Sequence, residues 1–298
     1  MNNYDDLLNN APATPAEEQR GQLSKEDYAA KKQAEREAVY TLSDQTALEV
    51  IDNGDTFRHF LDVQAKFSRY SAVNALLIFA QNHEATRLGG FDYWKSQGGF
   101  IRSGQTGISI LEPGKEYERD DGSVGVSYNI KKVFDISQVD TRKVKSTPQP
   151  KYDDRQLLRA LINNAPVKIT GVDELPGDIG AMTDPESGEI RVRKGMAFAD
   201  TFRSVAQELA AADFNSGPDT QAEADFSAYC ASYLLCEKYG VDTQGFNFNY
   251  APSVFDGMDA QGIKSELSQI RDVVDDISGR MARQLDTVQK AAKSQEAR

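Results

Sequence analysis

Strand-forming patterns occur in two separate blocks of the sequence, and this grouping is the strongest constraint on the fold. The first block, from about residue 89 to residue 136, has glycine pairs beside aromatic residues and two strand-like runs separated by an Asp-Gly turn at Gly122. The second block holds three short strand-like runs between residues 167 and 192. Helical patterns precede, separate and follow these blocks. Because strands and helices are grouped instead of alternating, the sequence predicts an α+β fold with a small antiparallel sheet in the first block.

The segments outside the two blocks predict helices of different character. Residues 1–23 are polar and lack periodicity, so we expect them to be disordered. Ser24 is expected to cap a polar helix that reaches about Tyr40, and Ser43 and Ser71 are each expected to cap a further helix. Near the C-terminus, apolar residues recur in steps of three and four, which predicts a long amphipathic helix packed on its own chain. These apolar residues are Leu267, Ile270, Val274, Ile277, Met281, Leu285 and Val288.

Changes in composition divide the chain into five predicted segments. A basic, Pro-containing stretch at residues 141–152 is typical of a linker, and the flanking segments each contain one strand block. The predicted segments are an N-terminal disordered and helical extension (1–54), a small sheet domain (55–140), the linker (141–152), a second α+β domain (153–245) and a C-terminal helical segment (246–298).

The formal net charge of −12 is distributed unevenly along the chain. Residues 1–55 carry a net −7, residues 56–151 carry +4 and residues 152–298 carry −9. Only the middle third is therefore attractive to a polyanion. No apolar run approaches the ~20 residues of a membrane span, and the N-terminus lacks the apolar core of a signal peptide. We therefore expect a cytoplasmic protein with no membrane partner.

A helix predicted over residues 202–213 has the frame of a zinc-binding motif without its histidines. In the pattern H-E-x-x-H, two imidazoles one helical turn apart bind Zn²⁺ and the glutamate activates a water. The corresponding residues here are Gln207, Glu208, Leu209, Ala210 and Ala211. Glu223, in the following helix, is well placed for a third ligand, but the only histidines are His59 and His83, far upstream. We therefore expect no bound metal and no cofactor, with Glu208 a solvated or hydrogen-bonded helix residue.

Other catalytic signatures are missing from the sequence. A Ser-His-Asp or Cys-His set would need one of the two histidines brought across domains. There is no G-x-x-x-x-G-K-[ST] phosphate loop, and Gly104-x-x-Gly107 is too short for one and is interpreted as a turn. The sequence therefore favours a binding protein over an enzyme.

The middle third interleaves aromatic and basic residues, a pattern typical of single-strand nucleic-acid binding. Bases stack on ring faces and cations meet the phosphates. Most of these rings are nevertheless expected to lie in the core, and Asn74 is expected to fix a turn or a backbone segment more readily than to contact a base. The predicted DNA-binding residues are Tyr70, Asn74, Trp94, Arg102, Lys131 and Lys132.

Four elements of this region, in their order and spacing, resemble the N-terminal single-stranded-DNA-binding domain of ArdC-type antirestriction proteins. Besides the Gly-aromatic segment, they are Tyr70-Ser71-x-x-Asn74, Arg102-x-Gly104-x-x-Gly107 and Val133-Phe-Asp-Ile-Ser-Gln138. The resemblance covers about residues 55–140. It implies single-stranded DNA as a partner and the protection of incoming DNA from restriction. Such proteins occur largely on conjugative elements of bacteria, which implies restriction or conjugation proteins as further partners.

Residues of about 153–245 resemble the zincin-like metallopeptidase domain, related to the ImmA/IrrE type, that follows in the same family. Its anchors are the helix from Ser204 to Ala211 and the segment Glu223-Ala-Asp-x-x-Ala228. The resemblance places the two metal-binding histidines at Gln207 and Ala211, the catalytic glutamate at Glu208 and the third ligand at Glu223. Because two of three ligands are lost, zinc binding and peptidase activity are not expected.

Two further interpretations stay open from the sequence. The acidic flanks favour a protein-interaction module or a DNA mimic that occupies the DNA site of a restriction enzyme. A residual zinc metallopeptidase with an unusual site is the other alternative. Metal content and binding to a labelled oligonucleotide discriminate among the three.

Overall fold

The structure is a computed structural model that describes residues 24–119, 121–142, 144, 151–163, 165–214 and 221–296, without the side chains of residues 221–223 and 288–296. The expected N-terminal disorder falls on residues 1–23, outside the described residues. The described helices are Lys25–Val50 (α1), Gly54–Lys66 (α2), Ala72–Asn82 (α3), Phe91–Ser96 (α4), Asp154–Asn163 (α5), Phe198–Phe214 (α6), Gln221–Tyr239 (α7), Ala251–Val254 (α8) and Ala260–Glu296 (α9). The described strands are Leu88–Gly89 (β1), Phe100–Ile101 (β2), Ile108–Glu118 (β3), Val124–Asp135 (β4), Val139–Asp140 (β5), Ile169–Val172 (β6), Ala181–Thr183 (β7) and Ile190–Arg193 (β8). The predicted α+β class is confirmed.

The first helices follow the capping pattern of the sequence except at one position. The hydroxyl of Ser24 accepts a hydrogen bond from the amide of Asp27, and that of Ser71 accepts one from the amide of Asn74. The prediction of a second helix capped by Ser43 is wrong, because α1 continues through it to Val50. The Ser43 hydroxyl donates to the carbonyl of Tyr40 at 2.8 Å and so leaves the helix uninterrupted.

A long hairpin dominates the first sheet. Strands β3 and β4 pair antiparallel, and β1 pairs with the other side of β4, which gives the order β1-β4-β3. Gly122 closes the hairpin at φ +81°, a left-handed conformation that favours glycine, so the predicted Asp-Gly turn is confirmed. The half of β3 nearest α3 is buried and the distal half is exposed. Strands β2 and β5 form a separate two-stranded sheet.

The second sheet is small and mixed. Strand β8 is central, with β6 parallel to it and β7 antiparallel. Helix α6 packs against β7 and β8, and α7 packs on α6. The apolar face of α6 includes Phe202, Val205 and Leu209, all buried.

One hydrophobic core joins helices from both predicted domains. Phe57 of α2 contacts the rings of Phe226, Phe248 and Phe255, at centroid separations of 5.6–5.8 Å. The apolar stripe of α9, from Leu267 to Leu285, lies in the same core, as predicted. The described residues from Val39 onward accordingly form one compact unit. No helix in the described part of the chain is long and apolar enough to cross a membrane.

Candidate nucleic-acid interface

A surface cleft of about 570 Å³ lies where the start of α3 meets β1, β3 and β4. Three of the six predicted DNA-binding residues line this cleft: Tyr70, Asn74 and Lys131. Trp94, Arg102 and Lys132 do not line it. Further lining residues with rings or positive charges are Arg69, Tyr93, Tyr128 and Arg271.

Asn74 holds one wall of the cleft in place. Its amide nitrogen donates to the carbonyl of Leu111 at 2.8 Å, and its amide oxygen accepts from the Leu111 N–H at 2.7 Å. Leu111 lies in β3, an edge strand of its sheet, and Asn74 is buried. The paired hydrogen bonds satisfy backbone groups that have no neighbouring strand. Asn74 therefore fixes a backbone segment, as predicted, and acts on a ligand only by positioning the strand.

Tyr70 lies half-buried at the rim of the cleft, edge-on to Phe67 with ring centroids 6.1 Å apart. Burial raises the pKa of Tyr70, and the nearby Lys131 ammonium partly opposes this rise. The hydroxyl is therefore neutral at physiological pH and can donate a hydrogen bond to an acceptor in the cleft.

Lys131 and Lys132 project from opposite faces of β4, because successive strand residues alternate. Lys131 is paired across the sheet with Ile110 and forms an ion pair with Glu112 at the cleft. Lys132 is paired with Ser109, and its ammonium donates to the Ser109 hydroxyl at 2.5 Å. The two lysines therefore cannot form one cationic patch.

Trp94 corrects the prediction of a stacking surface. Its side chain is 0% exposed, and its indole N–H donates to the carbonyl of Phe134 at 2.9 Å. A base cannot reach either ring face in this structure. The prediction followed the aromatic-basic pattern, whereas the size of the indole ring favours a core position.

Exposed rings are found on both sides of Trp94 in the sequence. Phe91 is 61% exposed, Phe100 is 62% exposed and Tyr93 is 39% exposed. Tyr93 lies over Gly89, where any side chain would overlap its ring, and Arg87 donates two hydrogen bonds to its hydroxyl at 2.8 and 3.1 Å. The glycine and the guanidinium therefore hold the Tyr93 ring at the cleft.

Asp135 and Gln138 give the motif in residues 133–138 a structural role. The Asp135 carboxylate accepts hydrogen bonds from the backbone amides of Thr86, Arg87 and Ser137 at 2.7–2.9 Å. Burial raises the pKa of Asp135, but these hydrogen bonds outweigh burial and leave the pKa below its ordinary value. The motif thus fixes the segment leading into β1, which forms part of the cleft.

Arg102 lies exposed beside the small sheet of β2 and β5. Its guanidinium donates to the carbonyl of Val139 at 3.1 Å, and its backbone amide donates to the carbonyl of Gln138. This contact aligns the loop after β2. In this conformation the structure does not bring Arg102 together with the residues of the cleft.

The cleft has more positive than negative side chains. Arg69, Lys131 and Arg271 line it together with a single carboxylate, that of Glu112. Arg271 lies on α9, whereas the other lining residues all fall between Arg69 and Val133. Sequence patterns missed Arg271 because the neighbouring residues on its helix are acidic, and its guanidinium lies 2.7 Å from Asp272.

The helix with the zinc-motif frame places Gln207, Glu208 and Ala211 on its partly exposed face. The Glu208 carboxylate accepts a hydrogen bond from the hydroxyl of Thr183 in β7 at 2.8 Å. The side chain of Glu223 lies outside the described residues. His59 and His83 are exposed on α2 and directly after α3. Within the described residues, no group of three or more His, Cys, Asp or Glu side chains could hold a metal ion.

The region that carries most of the cleft matches a known protein family. Residues 49–157 match the family described as the N-terminal domain of anti-restriction factor ArdC. The chain is also similar to the crystal structure of the antirestriction ArdC protein from R388 plasmid in its metal-free form, with 17% identity over 72% of this chain and 86% of that chain and a TM-score of 0.49. The Mn(II)-bound structure of that protein gives 16% identity, 72% and 85% coverage, and a TM-score of 0.49. No curated protein sequence matches the chain.

Proposed function

We propose that this chain, whose residues 49–157 match the family described as the N-terminal domain of anti-restriction factor ArdC, binds single-stranded DNA in the cleft and acts as an antirestriction protein of a mobile element. The observation that supports binding is the convergence of rings and cations. Tyr70, Tyr93 and Tyr128 line the same cleft as Arg69 and Lys131. Single strands are bound by this combination, since rings stack on unpaired bases and cations neutralise phosphates.

The exposed rings of the cleft have the role of stacking surfaces. Tyr93 and Tyr128 are 39% and 40% exposed, so each keeps part of its ring accessible to a base. Stacking of one base on an aromatic side chain is worth about 1–3 kcal/mol. A duplex keeps its bases paired and stacked on one another, so the cleft favours a single strand.

Arg69 and Lys131 have the role of phosphate contacts. No carboxylate in the described part of the chain lies within ion-pair distance of Arg69. Lys131 is paired with Glu112, but both side chains are about half exposed, and such a surface ion pair contributes roughly 0–1 kcal/mol. Lys131 can therefore exchange Glu112 for a phosphate at little cost.

The zinc-motif helix has the role of a scaffold without peptidase chemistry. Gln207 and Ala211 stand where metal-binding histidines would be needed, and Glu208 is hydrogen-bonded to Thr183. A neutral amide and a methyl group cannot replace two imidazoles as zinc ligands. The proposed action of the protein is therefore binding in the cytoplasm, without a cofactor, and the predicted segments 55–140 and 153–245 are its binding and scaffold regions.

The direct test is fluorescence anisotropy with a labelled oligonucleotide at about 50 mM and about 200 mM salt, with the matching duplex as competitor. We expect binding that weakens as salt rises, because phosphate contacts release counterions. We also expect the duplex to compete poorly. Failure to bind the single strand at about 50 mM salt refutes the proposal.

A second candidate function is a protein-interaction module, supported by the distal half of the β3–β4 hairpin. This segment exposes Tyr117 and Val124 at 51% and 65%, and its nearby carboxylates include Glu116, Glu118 and Asp121. An acidic surface with exposed apolar side chains suits docking to a basic protein surface such as the DNA site of a restriction enzyme. A complex between this protein and a restriction enzyme would favour this candidate under two conditions. DNA must displace the protein from the enzyme, and the complex must not form through a single strand that both proteins bind.

A further inference from the structure

A second cleft of about 750 Å³ lies between the end of α2 and the end of α7. Lys66, Ser68, Lys151 and Lys238 line it, together with the rings of Tyr152 and Tyr239. A small cavity lined by Ala65, Ser68, Lys238 and Arg271 separates it from the cleft at Tyr70. The cavity shares Arg271 with the first cleft, and it shares Ala65, Ser68 and Lys238 with the second. The two clefts are therefore neighbours on one surface.

The connected surface concentrates positive charge in an acidic protein. Its cations are Lys66, Arg69, Lys131, Lys151, Lys238 and Arg271. Its carboxylates are Glu112, Glu237 and Asp275. Cations therefore outnumber acids two to one here, although the whole chain carries −12. An excess of cations of this kind favours the approach of a polyanion, which the net charge of the whole chain opposes.

We propose that a single strand of DNA continues from the cleft at Tyr70 past Arg271 into the second cleft, where Lys66 and Lys151 bind its phosphates. This inference rests on the proposed function of the first cleft. It assigns DNA contacts to Lys66 at the end of α2 and to Lys151, which lies outside the segment that the sequence assigned to DNA. Tyr152 and Tyr239, which are partly buried against the core, place the edges of two rings in the lining of the same cleft.

Two of these lysines are available for phosphate contacts. Lys66 and Lys151 are exposed, and no carboxylate of the described residues lies within ion-pair distance of either ammonium. Lys238 differs, because it is half-buried and donates to the Ser278 hydroxyl at 2.7 Å. Burial lowers the pKa of Lys238, and the neighbouring charges of Arg271 and Arg69 also lower it while Asp275 raises it. Both arginines therefore repel the Lys238 ammonium, and the Asp275 carboxylate opposes that repulsion.

The test compares two double variants with the wild-type chain on oligonucleotides of roughly 4 and roughly 16 nucleotides, a range typical of single-strand binding folds. The first variant, Lys66→Gln with Lys151→Gln, removes two charges from the second cleft. The control, Lys168→Gln with Lys194→Gln, removes two exposed lysine charges that lie outside both clefts. Affinity is measured by anisotropy across a salt series, with urea unfolding to establish that both variants are folded.

We expect the first variant to bind the long strand more weakly and to reduce the slope of log K against log salt by about 1.4, since each lost phosphate contact removes about 0.7. Its affinity for the short strand should equal that of the control. If the two variants behave alike on the long strand, the extension is wrong although the first cleft stands. Equal loss on the short strand also overturns it, because the lysines would then belong to the same short site. If the wild-type chain binds neither strand, the proposed function fails as well.

Discussion

Residues 55–140 and residues 153–245 each place a three-stranded sheet against helices, and in each the middle strand is paired on both sides. They differ in what their polar residues do at the surface. In the first region, Asn74 and Asp135 are buried and bonded to backbone, while tyrosine rings and cations line an open cleft. In the second, Glu208 is bonded to Thr183 and its neighbours at the ligand positions are Gln207 and Ala211. In both regions, residues of the matched motifs form hydrogen bonds within the protein and so stabilise its structure. Ligand binding by either region would then depend on the side chains that remain exposed.

The largest expected effect is on the free energy of unfolding, and it distinguishes a buried ring from an exposed ring in the first region. Trp94→Ala removes a fully buried indole and its hydrogen bond to Phe134, so we expect a loss of about 3–5 kcal/mol in the free energy of unfolding. Phe91→Ala, three residues away at an exposed position, should change it by less than about 0.5 kcal/mol. Urea unfolding measures both. A mild effect of Trp94→Ala would mean that the ring is not part of the core and would return it to the candidate stacking surfaces.

The next prediction tests whether DNA binds to the rings of the cleft or to exposed rings in general. Tyr128 and Tyr117 are both exposed on the β3–β4 hairpin, but only Tyr128 lines the cleft. Loss of one stacked base costs about 1–3 kcal/mol, so Tyr128→Ala should weaken single-strand binding about 5- to 150-fold. Anisotropy titration should show Tyr117→Ala close to wild type. The reverse order would move the site to the hairpin tip and favour the protein-interaction candidate.

A smaller effect tests the two faces of β4. Lys131 lies at the cleft and Lys132 lies on the opposite face. Lys131→Gln should reduce the slope of log K against log salt by about 0.7, the value for one phosphate contact, and Lys132→Gln should leave it unchanged. The salt series of each variant measures the slope. Equal effects of the two variants would show that DNA contacts both faces of the strand and that the cleft does not confine it.

Local features of the first region follow from the sequence, and long-range ones do not. Ser71 capping and the turn at Gly122 depend on residues within a few positions, so short patterns predict them. The separation of Lys131 from Lys132 follows from strand alternation, although composition alone groups the two as one basic patch. The burial of Trp94 depends on Phe134, and the position of Arg271 depends on how α9 packs across the core. Those contacts join residues 40 to 200 positions apart, and local periodicity carries no information about them.

The smallest expected effect concerns Glu208 in the second region. We expect its substitution to change neither stability nor single-strand affinity by much. Glu208→Gln keeps the size of the side chain and its ability to accept from the Thr183 hydroxyl, so the free energy of unfolding should change by less than about 1 kcal/mol. Single-strand affinity should not change, since Glu208 does not line the cleft at Tyr70. Metal analysis of the dialysed wild-type protein supplies the decisive control. Stoichiometric Zn²⁺ in the wild-type protein would show that the second region holds a metal site, and its loss from the variant would make Glu208 one of the ligands. An unchanged variant from metal-free protein would instead mean that the charge of Glu208 is required neither for stability nor for DNA binding, as expected if the side chain only accepts the hydrogen bond from Thr183.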